Sequence, residues 1–69
     1  MKTFNDYLIE CIEKQKLHPE WRIGQTYFNV LYEMKPVLAD QIRGGQLDPF
    51  YKHSRIDDFL YFVRGNWDE

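Results

Sequence analysis

The sequence predicts a small all-α domain, a compact bundle of three to four short helices, and three observations support this fold class. Apolar residues recur every three or four positions over several segments, which is typical of helices with one buried face. Prolines and glycines separate these segments where helices are expected to end. No segment alternates apolar and polar residues for long enough to predict a strand. With 69 residues, the chain (1–69) holds a single domain.

The first helix is predicted over residues 3–17. Thr3 stands at its N-cap and Asp6 follows three residues later, which is the spacing of a capping box. Pro19 disfavours helical geometry at His18, so the helix is expected to end there. Its apolar face consists of Phe4, Tyr7, Leu8, Cys11 and Ile12.

The second helix is predicted over residues 20–34 and should be the most buried, because its apolar stripe is wide. Gly24 lies within the stripe at a cost of about 1 kcal/mol relative to alanine. A glycine at such a position indicates the close approach of another helix or of a ligand. The stripe consists of Ile23, Tyr27, Val30, Leu31 and Met34, flanked by Trp21, Phe28 and Tyr32.

Two shorter helices are predicted in the second half of the chain. Pro36 suits the first position of a third helix over residues 36–43, and Gly44-Gly45 would end it. Ser54 is predicted to cap a last helix over residues 54–64. Residues 65–69 are expected to form a tail that Trp67 pins to the domain. The apolar faces consist of Val37, Leu38 and Ile42 in the third helix and Ile56, Phe59, Leu60 and Val63 in the last.

The composition limits how this small domain is stabilised. Cys11 is the only cysteine, which excludes an internal disulfide and favours a reducing, cytoplasmic location. His18 and His53 are the only histidines and form no zinc-binding pattern, so no metal or other cofactor is expected. A domain of this size is close to the lower limit for folding alone, and its aromatic content is high at 17%. We therefore expect some rings to serve an interface, including one between copies of the chain, in a homo-oligomer.

Charge and hydropathy argue against two classes of partner. Nine basic and eleven acidic residues are interspersed and give a net charge of −2, with no basic block of the kind that binds nucleic acid. No apolar run is long enough for a membrane span or a signal peptide. Neither nucleic acid nor a membrane is therefore expected as a partner.

The sequence also predicts that the chain is not an enzyme. Cys11 and His18 are about two helical turns apart, too far for a thiol and its base. The adjacent carboxylates Asp57 and Asp58 point in different directions on a helix. The segment RGGQ lacks the lysine and flanking pattern of a phosphate-binding loop.

Two short segments are the candidates for a binding site. WRIGQ begins the second helix, where free backbone N–H groups favour an anion, and DPFY follows in the loop before the last helix. The candidate residues for binding a partner or a ligand are Trp21, Arg22, Gln25, Asp48, Phe50, Tyr51 and Arg55. A purely structural interpretation exists for each, in which Trp21 covers the core, Asp48 caps a turn, and the arginines pair with Asp48 or Asp57.

The same segments resemble a family of small uncharacterised proteins from tailed phages and some bacteria. The resemblance covers roughly residues 19–63 and is carried by the pattern W-R-x-G-Q-x-x-F-N-x-L, then D-P-F-Y, then an apolar helix. It implies a phage setting, where small proteins that bind host components are common, and it implies no particular activity. The signature positions are Trp21, Arg22, Gly24, Gln25, Phe28, Asn29, Asp48, Pro49, Phe50 and Tyr51.

The leading hypothesis is a small non-enzymatic protein that binds a host protein in the host cytoplasm, as a homo-oligomer. It predicts one contiguous exposed patch of aromatic residues, or such a patch buried between chains. An alternative is sequestration of a nucleotide-type signalling ligand, in which Trp21 or Tyr51 stacks on the base while Arg22 and Arg55 hold phosphate. A DNA-binding regulator that uses the second and third helices is a further alternative, and so is a structural accessory subunit.

Overall fold

Four α-helices make up most of the chain. The computed structural model describes residues 2–67, so positions 68 and 69 of the predicted tail lie outside the described residues. The helices are α1 (Phe4–Leu17), α2 (Ile23–Met34), α3 (Pro36–Ile42) and α4 (Ile56–Gly65), and a 3-10 turn over His53–Arg55 precedes α4. Between residues 2 and 67 there is no β-strand. The predicted all-α bundle is confirmed.

Helix α1 begins with the capping box that the sequence predicts. The Asp6 amide donates to the Thr3 hydroxyl at 3.1 Å, and the Thr3 amide donates to the Asp6 carboxylate at 2.9 Å. These two hydrogen bonds satisfy donors that a helix start leaves free. The bond from the Thr3 backbone also lowers the pKa of Asp6 below its ordinary value.

Helix α2 begins at Ile23, and the prediction that it starts at residue 20 is wrong. The Trp21 amide donates to the His18 carbonyl at 3.0 Å, which closes a turn between α1 and α2. Arg22 then has extended backbone angles (φ −70°, ψ 155°) and occupies the N-cap. The three residues before Ile23 therefore belong to the connection.

Helix α4 is not capped by Ser54, contrary to the sequence-based expectation. Ser54 lies within the 3-10 turn, where the Arg55 amide donates to the Lys52 carbonyl at 3.1 Å. This turn runs directly into α4, so Arg55 takes the N-cap position without a side-chain cap. Helix α3 has Pro36 in its first turn and ends at Ile42, one residue before the predicted boundary.

The core is an aromatic cluster that joins the two ends of the described chain. Tyr7 is fully buried, and its hydroxyl donates to the Tyr27 carbonyl at 2.6 Å. The Tyr7 ring centroid lies 5.3 Å from that of Trp67, and the Trp67 indole donates to the Lys2 carbonyl at 3.0 Å. Lys35 Nζ lies 4.9 Å from the centroid of the Trp67 ring. Trp67 thus pins the segment after α4 against the beginning of α1.

Three aliphatic residues that the helical spacing assigns to buried faces are exposed instead. Ile12, Ile23 and Val37 keep 57%, 50% and 72% of their surface accessible. The apolar stripes on α1, α2 and α3 are thus wider than the surfaces that the rest of the domain covers. The total accessible surface is 4876 Å², close to the roughly 4,700 Å² expected for a compact monomer of this mass. The exposed aliphatic residues are therefore a local feature of a well-packed domain.

Candidate functional site

The two predicted segments meet at the first turn of α2. Gly24 is buried against the backbone of Pro49, which is itself fully buried. A Cβ atom placed on Gly24 would lie 2.9 Å from the Pro49 carbonyl carbon and would overlap the Pro49 carbonyl oxygen. The close approach that Gly24 indicates is thus an approach of the DPFY segment.

Asp48 fixes the loop that carries this segment. One of its carboxylate oxygens accepts from the Gly44 amide at 2.7 Å and the other from the Phe50 amide at 2.9 Å. Gly44 has a φ of +74°, a conformation that favours glycine, and it reverses the chain after α3. Asp48 therefore acts in the folded loop as a hydrogen-bond acceptor for backbone amides.

Arg55 holds the same loop from the other side. Its Nη1 donates to the Gly45 carbonyl at 3.0 Å and to the Asp48 carbonyl at 3.4 Å. These contacts differ from the carboxylate pairing with Asp48 or Asp57 that the structural interpretation predicts. They use the guanidinium within the fold, where it holds this loop.

Phe50 packs inward, whereas its neighbour Tyr51 does not. The Phe50 ring meets the buried Phe28 ring edge to face, with centroids 6.1 Å apart. Tyr51 contacts the Phe50 ring at 4.8 Å but keeps 78% of its own surface accessible. The DPFY segment thus places Pro49 and Phe50 inside and Tyr51 outside.

Trp21 belongs to the turn between α1 and α2. Its ring stacks on His18 with centroids 3.9 Å apart and an angle of 6° between the planes. His18 Nδ1 lies 3.2 Å from a Glu20 carboxylate oxygen. A hydrogen bond from the Glu20 backbone and, second to it, this contact lower the pKa of Glu20. The stack occupies one face of the Trp21 ring.

Gln15 is a residue of this junction that sequence reasoning missed. Its amide nitrogen lies 3.2 Å from the His18 carbonyl and 2.9 Å from the Trp21 carbonyl. The hydroxyl of the buried residue Thr26 donates to the Gln15 amide oxygen at 2.6 Å. One side chain of α1 therefore holds both the turn and the first turn of α2. A signal was available, because Thr26 is a polar residue within the apolar stripe of α2.

Arg22 and Gln25 differ in how the structure uses them. The Gln25 side-chain oxygen accepts a long hydrogen bond from the Arg22 backbone amide, at 3.4 Å, and so satisfies a donor at the start of α2. The Arg22 side chain is exposed, and its guanidinium carbon lies 5.7 Å from the centroid of the Tyr51 ring, within cation–π range. Arg22 and Tyr51 are the predicted site residues that the structure brings together at the surface.

An open groove between α1 and α2 adjoins this pair, and the sequence does not indicate it. Its volume is about 360 Å³, and it is lined by Cys11, Ile12, Gln15, Lys16, Ile23, Thr26 and Tyr27. Ile23 also lines a shallower depression, which contains Arg22, Tyr51 and Lys52. The two depressions therefore meet at Ile23. We call the surface around this residue the Ile23 face and define it by Ile12, Lys16, Arg22, Ile23, Tyr51 and Lys52.

The exposed tyrosine rings are each paired with an arginine. Tyr51, Tyr32 and Tyr61 each lie near a different arginine, with ring centroids 5.7, 4.7 and 6.0 Å from the guanidinium carbons of Arg22, Arg43 and Arg64. Apart from Trp21, the other large rings belong to the core or pack against it. The exposed apolar character of the Ile23 face is instead mostly aliphatic.

The side chains of the Ile23 face are suited to non-covalent binding. Cys11 forms part of the groove but keeps only 3% of its surface accessible, and burial raises the pKa of its thiol from 9.0 to about 12. A protonated thiol is a weak nucleophile. Within residues 2–67, no three His, Cys, Asp or Glu side chains are grouped closely enough to hold a metal ion.

Comparisons with known proteins add no relative. No protein-family model, no curated protein and no solved structure matches this chain. In the part of the chain that the structure describes, no helix has the length and apolarity required to cross a bilayer.

Proposed function

We propose that the chain is a non-enzymatic binding protein that holds a partner protein on the Ile23 face. One observation carries the proposal: the exposed side chains of Ile12 and Ile23 line an open groove, and Ile23 also lines the depression that contains the exposed Arg22–Tyr51 pair. Tyr and Arg are enriched at the energetic centres of protein interfaces, where they surround well-packed apolar contacts. The combination therefore suits a partner with an apolar side chain to insert.

The geometry favours this function over nucleotide and DNA binding. A nucleotide site built from the predicted residues would need Arg55, which is bound to the Gly45 and Asp48 carbonyls. A DNA-reading third helix would need Arg43, which lies 3.7 Å from Asp40 and over the Tyr32 ring. Arg55 and Arg43 are thus engaged within the domain, whereas Arg22 is exposed.

The sequence resemblance to phage proteins suggests what the partner is. A phage setting would make the partner a host protein and the host cytoplasm the place of action. Self-association of the chain stays a prediction, and sedimentation velocity over a range of concentrations tests it.

The test of the proposed function compares two isoleucines of α1. Ile12 and Ile9 are 57% and 58% exposed, but only Ile12 lines the groove. Full-length wild-type protein, Ile12→Gln and Ile9→Gln are immobilised and exposed to an extract of the native cells. Any retained protein is then purified and titrated against each variant.

We expect a protein that binds wild type and Ile9→Gln equally and binds Ile12→Gln at least about tenfold more weakly. Circular dichroism of each variant establishes that it is folded. The proposal would be contradicted if no captured protein bound Ile12→Gln more weakly than wild type. Dimerisation of the chain that Ile12→Gln abolishes would also contradict it, because the face would then serve self-association.

A further inference from the structure

The charges on the Ile23 face are of one sign, although the whole chain is acidic. Lys16 lines the groove, and Arg22, Lys52 and His53 line the adjoining depression. No carboxylate from residues 2–67 lines either one. Glu13, which is near Ile12 and Lys16 in sequence, is also outside the lining. Because the chain has eleven acidic and nine basic residues, composition alone does not predict such a cluster.

Three acidic side chains, those of Glu20, Glu33 and Asp48, make contacts elsewhere in the fold. Glu20 contacts His18, and Glu33 contacts Lys14 on α1 at 3.3 Å. Asp48 accepts from backbone amides of its own loop. Among the described residues, the three cations of the Ile23 face form no ion pair. Their charge is therefore available to a partner.

The cations come from two parts of the fold that meet at Ile23. Lys16 is on α1 and lines the groove, whereas Arg22, before α2, and Lys52, after the DPFY segment, line the adjoining depression. Ile23 connects the groove with the depression, because it lines both. A ligand that fits this arrangement has an apolar centre with negative charge on either side of it.

We infer that the Ile23 face binds an acidic amphipathic segment of the partner protein. An apolar side chain of that segment enters the groove, and flanking carboxylates meet Lys16 on one side and Arg22 and Lys52 on the other. Opposite charges around an apolar contact speed association and discriminate against basic partners. This inference rests on the proposed function and specifies the chemistry of the partner.

The experiment uses a random peptide display library selected on immobilised full-length protein. We expect the selected peptides to combine an aliphatic or aromatic residue with flanking Asp or Glu. The best peptide is then synthesised and titrated against wild type, Ile12→Gln and the double variant Lys16→Gln/Arg22→Gln. The control is Lys2→Gln/Arg64→Gln, which removes two exposed cations that do not line the Ile23 face.

Loss of Lys16 and Arg22 should weaken binding roughly tenfold at low salt, with each charge contributing up to about fivefold. The difference from wild type should shrink as salt is added, because exposed charges are screened. The control variant should bind as wild type does. Peptides that depend on Ile12 but are neutral or basic would overturn this inference and leave the proposed function in place. If no selected peptide depends on Ile12, the proposed function fails as well.

Discussion

The junction between α2 and the loop before α4 has an inner and an outer side, and the two use neighbouring residues in opposite ways. On the inner side, Gly24 and Pro49 touch through their backbones, and Asp48 binds amides of its own loop. On the outer side, Arg22 and Tyr51 lie close to each other, and both side chains are exposed to solvent. WRIGQ and DPFY therefore each contain residues that hold the fold together and a residue that is exposed to solvent.

This difference teaches that a sequence pattern does not separate structural from binding residues. Arg22 and Gly24 are two positions apart in WRIGQ, and Asp48 and Tyr51 are three apart in DPFY. The inner residues are required because the chain comes close to itself at this point. The side chains of the outer residues, Arg22 and Tyr51, satisfy no buried polar group. The fold therefore does not require them, and a binding function would explain their presence.

Gly24→Ala should cause the largest loss on the inner side. The new methyl group meets the Pro49 backbone, which cannot move away as the end of a flexible side chain could. We expect the free energy of unfolding to fall by about 3 kcal/mol, as in severe overpacking, despite the better helix propensity of alanine. Urea denaturation followed by circular dichroism measures this change.

Gly65→Ala is the matched control for that substitution. Gly65 is also helical, but a Cβ atom there meets nothing within 4 Å. Alanine should leave stability unchanged or raise it by up to about 0.5 kcal/mol. Equal losses at Gly24 and Gly65 would show that glycine is needed at neither site for a close approach.

Asp48→Ala should cause the second largest loss, because two backbone amides lose a charged acceptor. We expect about 2 kcal/mol in the free energy of unfolding. Asp40→Ala is the control, since Asp40 makes only an exposed contact with Arg43 at 3.7 Å and should cost less than about 0.5 kcal/mol. Similar losses in the free energy of unfolding for the two variants would show that the Asp48 carboxylate does not stabilise the loop.

The pH dependence of stability tests how well the thiol of Cys11, which lines the groove, is shielded from water. The native thiol keeps its proton up to about pH 12, whereas the unfolded thiol loses it near 9.0. Because the unfolded state binds fewer protons in this range, stability falls as pH rises. Between about pH 8 and pH 9.5 the loss should reach up to about 1 kcal/mol, less if water screens the site.

Cys11→Ala isolates this effect, because it removes the thiol and leaves Tyr7 and Tyr27 in place. The variant is less stable at every pH but should lose less stability than wild type over the same alkaline range. Urea denaturation at several pH values gives both curves. Parallel curves would mean that the thiol is hydrated in the folded protein.

Arg22→Ala and Tyr51→Ala should have the smallest effect on stability. Both side chains are exposed, so each change should cost less than about 0.5 kcal/mol. The same variants should weaken capture of the partner protein that wild type binds. A loss of stability comparable to that of Asp48→Ala would place these residues on the inner side.

Local sequence rules predicted the four helices and most of their approximate bounds, because the capping and helix-ending signals lie within a few residues of each other. Thr3 and Asp6 form their capping box because both partners lie in the same turn. Helix α3 begins at Pro36 for an equally local reason. These features support the all-α fold without any knowledge of distant contacts.

Features that depend on distant parts of the chain could not be predicted in the same way. Gly24 indicates a close approach, but only the tertiary structure identifies Pro49 as the neighbour. Ile12 and Ile23 belong to regular apolar stripes, and helical spacing cannot tell which part of a stripe remains uncovered. The groove was missed for this reason, and Gln15 was missed because its partners follow α1 in the next turn and helix.

The hydrogen bond from the Trp67 indole to the Lys2 carbonyl has a practical consequence for protein engineering. It holds residues near both termini side by side, so a short flexible linker between them would join head to tail with little distortion. Such a cyclised chain would present the Ile23 face unchanged, because neither Lys2 nor Trp67 lines it.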